Sequence, residues 1–348
     1  MHDDEEYLTG IPRELMTTRE EGLRYSDERF WQNHRFVVTG GAGFLGSWLV
    51  DVFKQRGASE IVIPLRTKYD LRKHEDIKKL LSLLSSSDRG LNDVVIIHLA
   101  ATVGGIGANS EKPAEYFYDN LVMGTQLLHE SWLAGVGKFV AVGTVCAYPQ
   151  RTPLPFVEES LWDGYPEPTN APYGMAKKML LVQSQAYRRQ YGFNSIYLLP
   201  TNLYGPRDNF QQTTSHVIPA IIRKCDEAKV NDSAFIELWG NGSPTRDFLF
   251  VKDAAEGIAT ATARYNEETP VNIGSGQEIS ICDLSKIILK MMDFNGELLW
   301  NHKKPNGQLR RCLDVTRAKT FGFEATTSLS DGLHQTIEWF SRHKADLL

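Results

Sequence analysis

A short stretch with an apolar centre, RFVVTG (residues 35–40), runs into the glycine turn TGGAGFLGS (39–47) and then into an amphipathic stretch, SWLVDVFKQRG (47–57). The first reads as a strand and the last as a helix stopped by glycine. Gly40, Gly43 and Gly46 let the backbone come close to an anionic ligand, and the helix N-terminus offers it free N–H groups. Phe44 and Leu45 lie in the same turn. A strand, a glycine turn and a helix in that order predict a dinucleotide-binding unit on a parallel sheet.

The rest of the chain keeps that rhythm. EIVIPL (60–65), VVIIHLA (94–100) and KFVAVGT (138–144) read as further strands, and SIYLLPTNLYG (195–205) as another strand with its loop. They are continuously apolar, as strands covered on both faces are. Helices are expected over 74–86, 113–134 and 172–191. The pattern predicts an α/β fold, a Rossmann-type doubly wound parallel sheet with a smaller C-terminal substrate-binding lobe. We expect a polar N-terminal extension over 1–34 and the dinucleotide domain over 35–205, with 245–275 returning to it. The lobe takes 206–244 and 276–348.

Composition narrows the function classes. A net charge of -5 and the lack of a long basic run argue against a nucleic-acid partner. No apolar stretch reaches the ~20 residues that cross a bilayer, so no membrane partner is expected. The acidic N-terminus lacks the order of a signal peptide, and the four cysteines form no CxxC pair, so no metal site is indicated. A cytoplasmic enzyme with reduced thiols is the expectation.

The end of the second strand selects the dinucleotide. An acidic residue there binds a ribose hydroxyl, whereas arginine accommodates a 2′-phosphate. IPLRTKYDL has Arg66 and Lys68 and no carboxylate until Asp70, which favours NADP(H) while leaving NAD open. Leu99, Ala100 and Ala101, at the end of the third strand, are grouped with the same site.

YGMAK puts Tyr173 and Lys177 on one face of a helix. A free phenol, with a pKa near ~10, carries protons poorly at neutral pH, and a neighbouring ammonium favours the phenolate. Thr144 ends the fourth strand and can orient a carbonyl beside Tyr173. This set predicts hydride transfer at a carbonyl. Cys146, just beyond that strand end, and His216, in TTSHVIP, are candidate proton carriers.

GTVCAYPQ, EPTNAPYGMAKK, PTNLYGPRDNF, SHVIPAIIRKC, LWGNGSPTRDFLFVKD and KPNGQLRRCLDV together resemble the GDP-L-fucose synthase family of the extended short-chain dehydrogenase/reductases. The resemblance implies NADPH-dependent 3,5-epimerisation and 4-reduction of a GDP-linked 4-keto-6-deoxy sugar by a homodimer. It assigns proton exchange to Cys146 and His216. It also implies dinucleotide contacts at Arg66–Leu71, including Asp70, at Val142, Gly143, Thr144 and Val145, at Lys177, at Pro200, Asn202 and Leu203, and at His216. Substrate contacts fall on Val145, Lys224, Trp239, Arg246, Asn306 and Arg310. Asn306 and Val145 depart from the family's usual carboxylate and hydroxyl. A GDP-heptose, an NAD-retaining epimerase and a binding protein without turnover stay open.

Overall fold

The computed structural model describes residues 27–85, 90–304 and 306–347. β1 (Arg35–Thr39) leads through the glycine turn into α1 (Phe44–Gln55), followed by β2 (Glu60–Val62), α2 (His74–Ser85) and β3 (Val94–His98). After a short α3 (Ile106–Glu111) come the long α4 (Pro113–Leu133), β4 (Lys138–Val142), the long α5 (Ala171–Tyr191) and β5 (Ser195–Pro200). These strands, with β9 (Val271–Ile273), form one parallel sheet in the order β2-β1-β3-β4-β5-β9. Every residue of β1, β3, β4 and β5 is buried, which is why these strands carry no polar alternation.

Helices α1, α2, α4 and α5 meet the sheet by their apolar sides. On α2 the stripe is Ile77, Leu80, Leu81 and Leu84, at helical spacing, and each fully buried chain of this size contributes ~1.5–3 kcal/mol over leaving it exposed. α2, α4 and α5 pack on one face of the sheet. α1 packs on the other with α7 (Val251–Arg264). Gly192, at φ 67°, stops α5, its N–H returning to Arg188.

After β5 come β6 (Asn202–Tyr204), α6 (Val217–Val230), β7 (Phe235–Trp239) and β8 (Thr245–Phe250). β10 (Glu278–Ser280), α8 (Ile281–Met291), β11 (Glu297–Asn301), α9 (Thr316–Thr320) and α10 (Leu329–Leu347) follow, but α9 departs from the lobe expected over 276–348 and packs on β9 of the central sheet through Ala318. The 245–275 stretch divides. β8 joins a small sheet, β10-β8-β6, whereas α7 and β9 rejoin the central one. β11 pairs with β7 in a two-stranded sheet. A third apolar cluster gathers α6, α8 and α10.

Of the N-terminal stretch, residues 1–26 lie outside the described residues. Residues 27–33 are helical and dock on the α1 face, with Trp31 against Phe36 and Phe53 and Asp27 paired to Arg264 at 2.6 Å. Among the described residues no helix is long and apolar enough to cross a membrane, and no cluster of metal-ligating side chains occurs.

Candidate active site

The chain crosses from β2 on one side of β1 to β3 on the other, so the carboxyl edge opens into a crevice there. A cavity of about 980 Å³ starts in that crevice and runs out between the sheet and the lobe. At its inner end the glycine turn is a cradle. A Cβ on Gly46 would lie 2.1 Å from the Gly40 carbonyl oxygen, and Gly40, at φ 71°, abuts the Ala100 backbone. No side chain caps α1, which leaves its first-turn N–H groups to a ligand. This geometry fits the pyrophosphate of a dinucleotide.

Gly40, Gly43, Phe44, Leu45 and Gly46 line this end of the cavity, with Leu99, Ala100 and Ala101 opposite. Arg66, Asp70 and Leu71 close it beyond β2. Arg66 is exposed to the cavity, whereas Lys68 is exposed outside the lining. The Asp70 carboxylate is spent on Arg72, bonded through Nε at 2.9 Å and Nη2 at 2.7 Å, which holds its pKa down at about 2. Arg72 also reaches Asp119 at 3.3 Å. Asp70 thus steadies a cation instead of offering a carboxylate to a ribose, and Arg66 is the cation left for a phosphate.

The reaction centre sits where β4 ends. Val142, Gly143, Thr144, Val145 and Cys146 line the cavity there. Thr144 Oγ1 accepts from the Cys146 N–H at 3.2 Å and so opens the turn that carries the thiol. Gly174 of α5 meets that turn so closely that a Cβ would lie 2.3 Å from the Cys146 carbonyl oxygen. The absent side chain is what brings Tyr173 beside Thr144 and Cys146. One turn on, the Lys177 carbonyl accepts from the buried Tyr197 hydroxyl at 2.8 Å, tying α5 to β5.

The electrostatics differ from the expectation that Lys177 lowers Tyr173. Burial pushes the Tyr173 phenol up, the Cys146 charge pushes it further, and only the Thr144 hydrogen bond opposes them. Lys177, only 3% exposed, is itself pulled down to about 8 by desolvation. The phenol therefore keeps its proton at neutral pH, the form that a proton donor needs.

Pro200, Asn202 and Leu203 line the wall beyond β5, where Thr201 and Asn202 both donate to the Asp247 carbonyl of β8. His216 stands at the head of α6 and opens onto the cavity, whose walls displace enough water to lower the imidazole pKa. Cys146 and His216 thus reach one space from separate walls.

At the outer end Lys224, Trp239, Arg246 and Asn306 all face the cavity. The Lys224 ammonium donates to the Glu237 carbonyl at 2.5 Å, and Lys304 covers the Trp239 ring at 5.0 Å. The Asn306 Oδ1 accepts from the Asn241 N–H at 2.9 Å. Arg246 is pulled down to about 9, first by burial and then by the like charge of Arg311.

Arg310 is a correction. It is exposed, pairs with Glu278 at 2.5 Å and does not line the cavity. Its neighbour Arg311 lines it instead, 5% exposed, with Nη1 3.5 Å from the Cys146 sulfur. The segment is extended, so consecutive side chains point opposite ways, and the fully buried Leu313 puts Arg311 on the inner side. That alternation was the available signal.

The profile of the NAD dependent epimerase/dehydratase family matches residues 36–274. The GDP-L-fucose synthase of Sinorhizobium fredii is 39% identical over 90% of this chain and 97% of its own. Among solved structures, a GDP-L-fucose synthetase from Naegleria fowleri bound to NADP superposes with a TM-score of 0.79 at 26% identity, over 90% of this chain and 96% of that one. A GDP-6-OMe-4-keto-L-xylo-heptose reductase from C. jejuni does so with 0.81 at 26% identity, over 90% and 99%.

Proposed function

The chain belongs to the NAD dependent epimerase/dehydratase family and, within it, to the GDP-L-fucose synthases, and we propose that it epimerises a GDP-linked 4-keto-6-deoxy sugar at C3 and C5 and reduces it at C4 with NADPH. The observation that carries this reading is the meeting of two proton carriers, Cys146 and His216, with Thr144, Tyr173 and Lys177 in one cavity.

A ketone at C4 acidifies the hydrogens at C3 and C5, because the carbanion left behind delocalises into an enolate. Inverting either carbon needs a proton taken from one face and returned to the other. Cys146 and His216 carry out that exchange from their separate walls. A dinucleotide held in the glycine cradle would supply the hydride for C4. Tyr173, which burial keeps protonated, donates to the oxygen that becomes the 4-hydroxyl, and Thr144 holds that oxygen. Lys177 anchors the nicotinamide ribose, and Arg66 meets the 2′-phosphate. Lys224 and Arg246 hold the diphosphate, with Trp239 packed on the nucleotide.

We place this enzyme in the cytoplasm, where its free thiols stay reduced. It pairs as a homodimer through the outer faces of α4 and α5, which expose Phe117, Tyr118, Leu133, Val182 and Tyr191. A GDP-linked keto-heptose is the second reading, favoured by the likeness to the C. jejuni reductase.

Incubation with GDP-4-keto-6-deoxy-mannose, a GDP-keto-heptose, and their dTDP and UDP counterparts tests the proposal, with NADPH or NADH in each arm. NADPH oxidation matched by loss of the deoxymannose ketone is expected. No cofactor consumption with any 4-keto sugar would contradict it, and product formed without added cofactor would identify an NAD-retaining epimerase.

A further inference from the structure

We propose that Arg311 is a positioning residue that holds the Cys146 sulfur in its anionic form and aims it into the cavity. The inference rests on Cys146 acting as a proton carrier, and it concerns a residue that the sequence pattern passed over.

Arg311 has its place fixed before its side chain is considered. Its N–H donates to the Thr245 carbonyl at 3.2 Å, and its carbonyl accepts from the Asp247 N–H at 2.9 Å, so the segment runs beside β8 like an added strand. The Leu313 N–H next along bonds the buried Asp247 carboxylate. From this rigid edge the guanidinium crosses to the turn after β4. Its Nε donates to Gln308 Oε1 at 2.7 Å, and Nη1 donates to Cys146 Sγ at 3.5 Å. Gln308, 6% exposed, donates in turn to the carbonyls of Gln150 at 3.0 Å and Pro149 at 3.3 Å. Both ends of the clamp therefore grip the segment that carries the thiol.

A buried guanidinium needs an anion, because desolvating the charge is costly and an unpaired one is not tolerated well. Among the described residues the side-chain partners of Arg311 are Gln308, which is neutral, and the Cys146 sulfur. The thiolate is the form that completes the pair, as a charge-assisted bond. Among the described residues, Tyr173 from α5 and Arg246 from β8 feel the sulfur's charge, and Arg311 bonds it. Arg246 lies toward the outer end, where the diphosphate binds, so the two guanidiniums divide the work. Tyr173 responds in the opposite sense, since a thiolate beside it keeps the phenol protonated. The same charge that readies Cys146 for abstraction thus retains on Tyr173 the proton that reduction consumes.

Alkylation of Cys146 by dilute iodoacetamide, read by mass spectrometry of its peptide in the full-length protein, tests the pairing without requiring turnover. At pH 7 Arg311→Met is expected to slow labelling by ~10-fold, the size of a one-unit change in thiolate population, and to move the rate–pH curve to higher pH. Arg311→Lys keeps a cation and should stay within ~3-fold of the parent, and Gln308→Leu, which loosens the aim, should fall between the two. Melting curves identify any variant that fails to fold, in which case the other two carry the comparison. Labelling of Arg311→Met at the parental rate across pH would overturn the proposal. So would an Arg311→Met variant whose only defect is a raised KM for the GDP-sugar, since the guanidinium would then be a diphosphate ligand. Slow labelling with parental deuterium exchange at C3 and C5 would uphold the pairing and refute Cys146 as a proton carrier.

Discussion

At the dinucleotide end of the cavity the ligand meets main chain: a glycine cradle, the bare N-terminus of α1, and the Ala100 backbone. The one strong ion pair there, Asp70–Arg72, is internally satisfied. At the outer end the lining is made of side chains drawn from α6, β7, β8 and the 306–311 segment. Its guanidiniums are Arg311, buried, and the partly buried Arg246, which burial and then the like charge of Arg311 pull down. A main-chain site is set by backbone geometry and tolerates few shapes. A side-chain site stores electrostatic demand that a diphosphate or a thiolate satisfies, and it can be retuned one residue at a time.

This contrast predicts separable defects. The largest belongs to the junction of the two ends. Tyr173→Phe should lower the rate of 4-reduction by ~10²–10⁴-fold, the usual worth of a placed proton donor, while deuterium exchange at C3 and C5 continues. Parallel loss of both would mean that one group serves both reactions. Next, Arg246→Ala should raise KM for the GDP-sugar by ~30-fold or more, as expected for a charge-assisted diphosphate contact, and leave NADPH binding in fluorescence titrations unchanged. A weakened NADPH would erase the distinction between the ends. Arg66→Ala should cost NADPH affinity ~10-fold and NADH affinity little, the reverse pattern from Arg246→Ala.

The smallest effect concerns the link between sheet and lobe. Asp208 is 5% exposed, its Oδ2 has no hydrogen-bond partner among the described residues, and burial raises its carboxyl to about 7. Between the unfolded value near ~4 and about 7 the native state binds the proton more tightly, so stability from this group is full at low pH and lost as pH rises through about 7. Asp208→Asn should therefore stabilise the protein more at pH 8 than at pH 5, by ~1–2 kcal/mol in thermal or urea melts. An effect independent of pH would show that the carboxyl is already solvated.

The same contrast explains what could be read in the sequence. Apolar runs buried on both faces, the glycine turn and the Tyr173–Lys177 spacing are backbone and periodicity signals, and the parallel sheet formed where they fall. The strand TRDFLF opens on Thr245, Arg246 and Asp247 before its apolar half, and β8 pairs with β6 and β10 in a separate sheet. Lys224, Trp239, Arg246 and Asn306 have no local pattern, and the family resemblance marked them. Arg311, and not the Arg310 that the resemblance implies, lines the cavity, because a paired RR hides which side chain turns inward. The raised Tyr173 phenol was not legible either, since burial and the nearby sulfur are tertiary facts.

The central claim is that one cavity both exchanges the protons flanking a ketone and reduces it. Running the reaction in D₂O with GDP-4-keto-6-deoxy-mannose and NADPH, and weighing the product by mass spectrometry, tests this directly. The account predicts solvent deuterium at both C3 and C5 and one NADPH oxidised per sugar. A reduced sugar free of carbon-bound deuterium, or deuterated ketone with NADPH untouched, would contradict it.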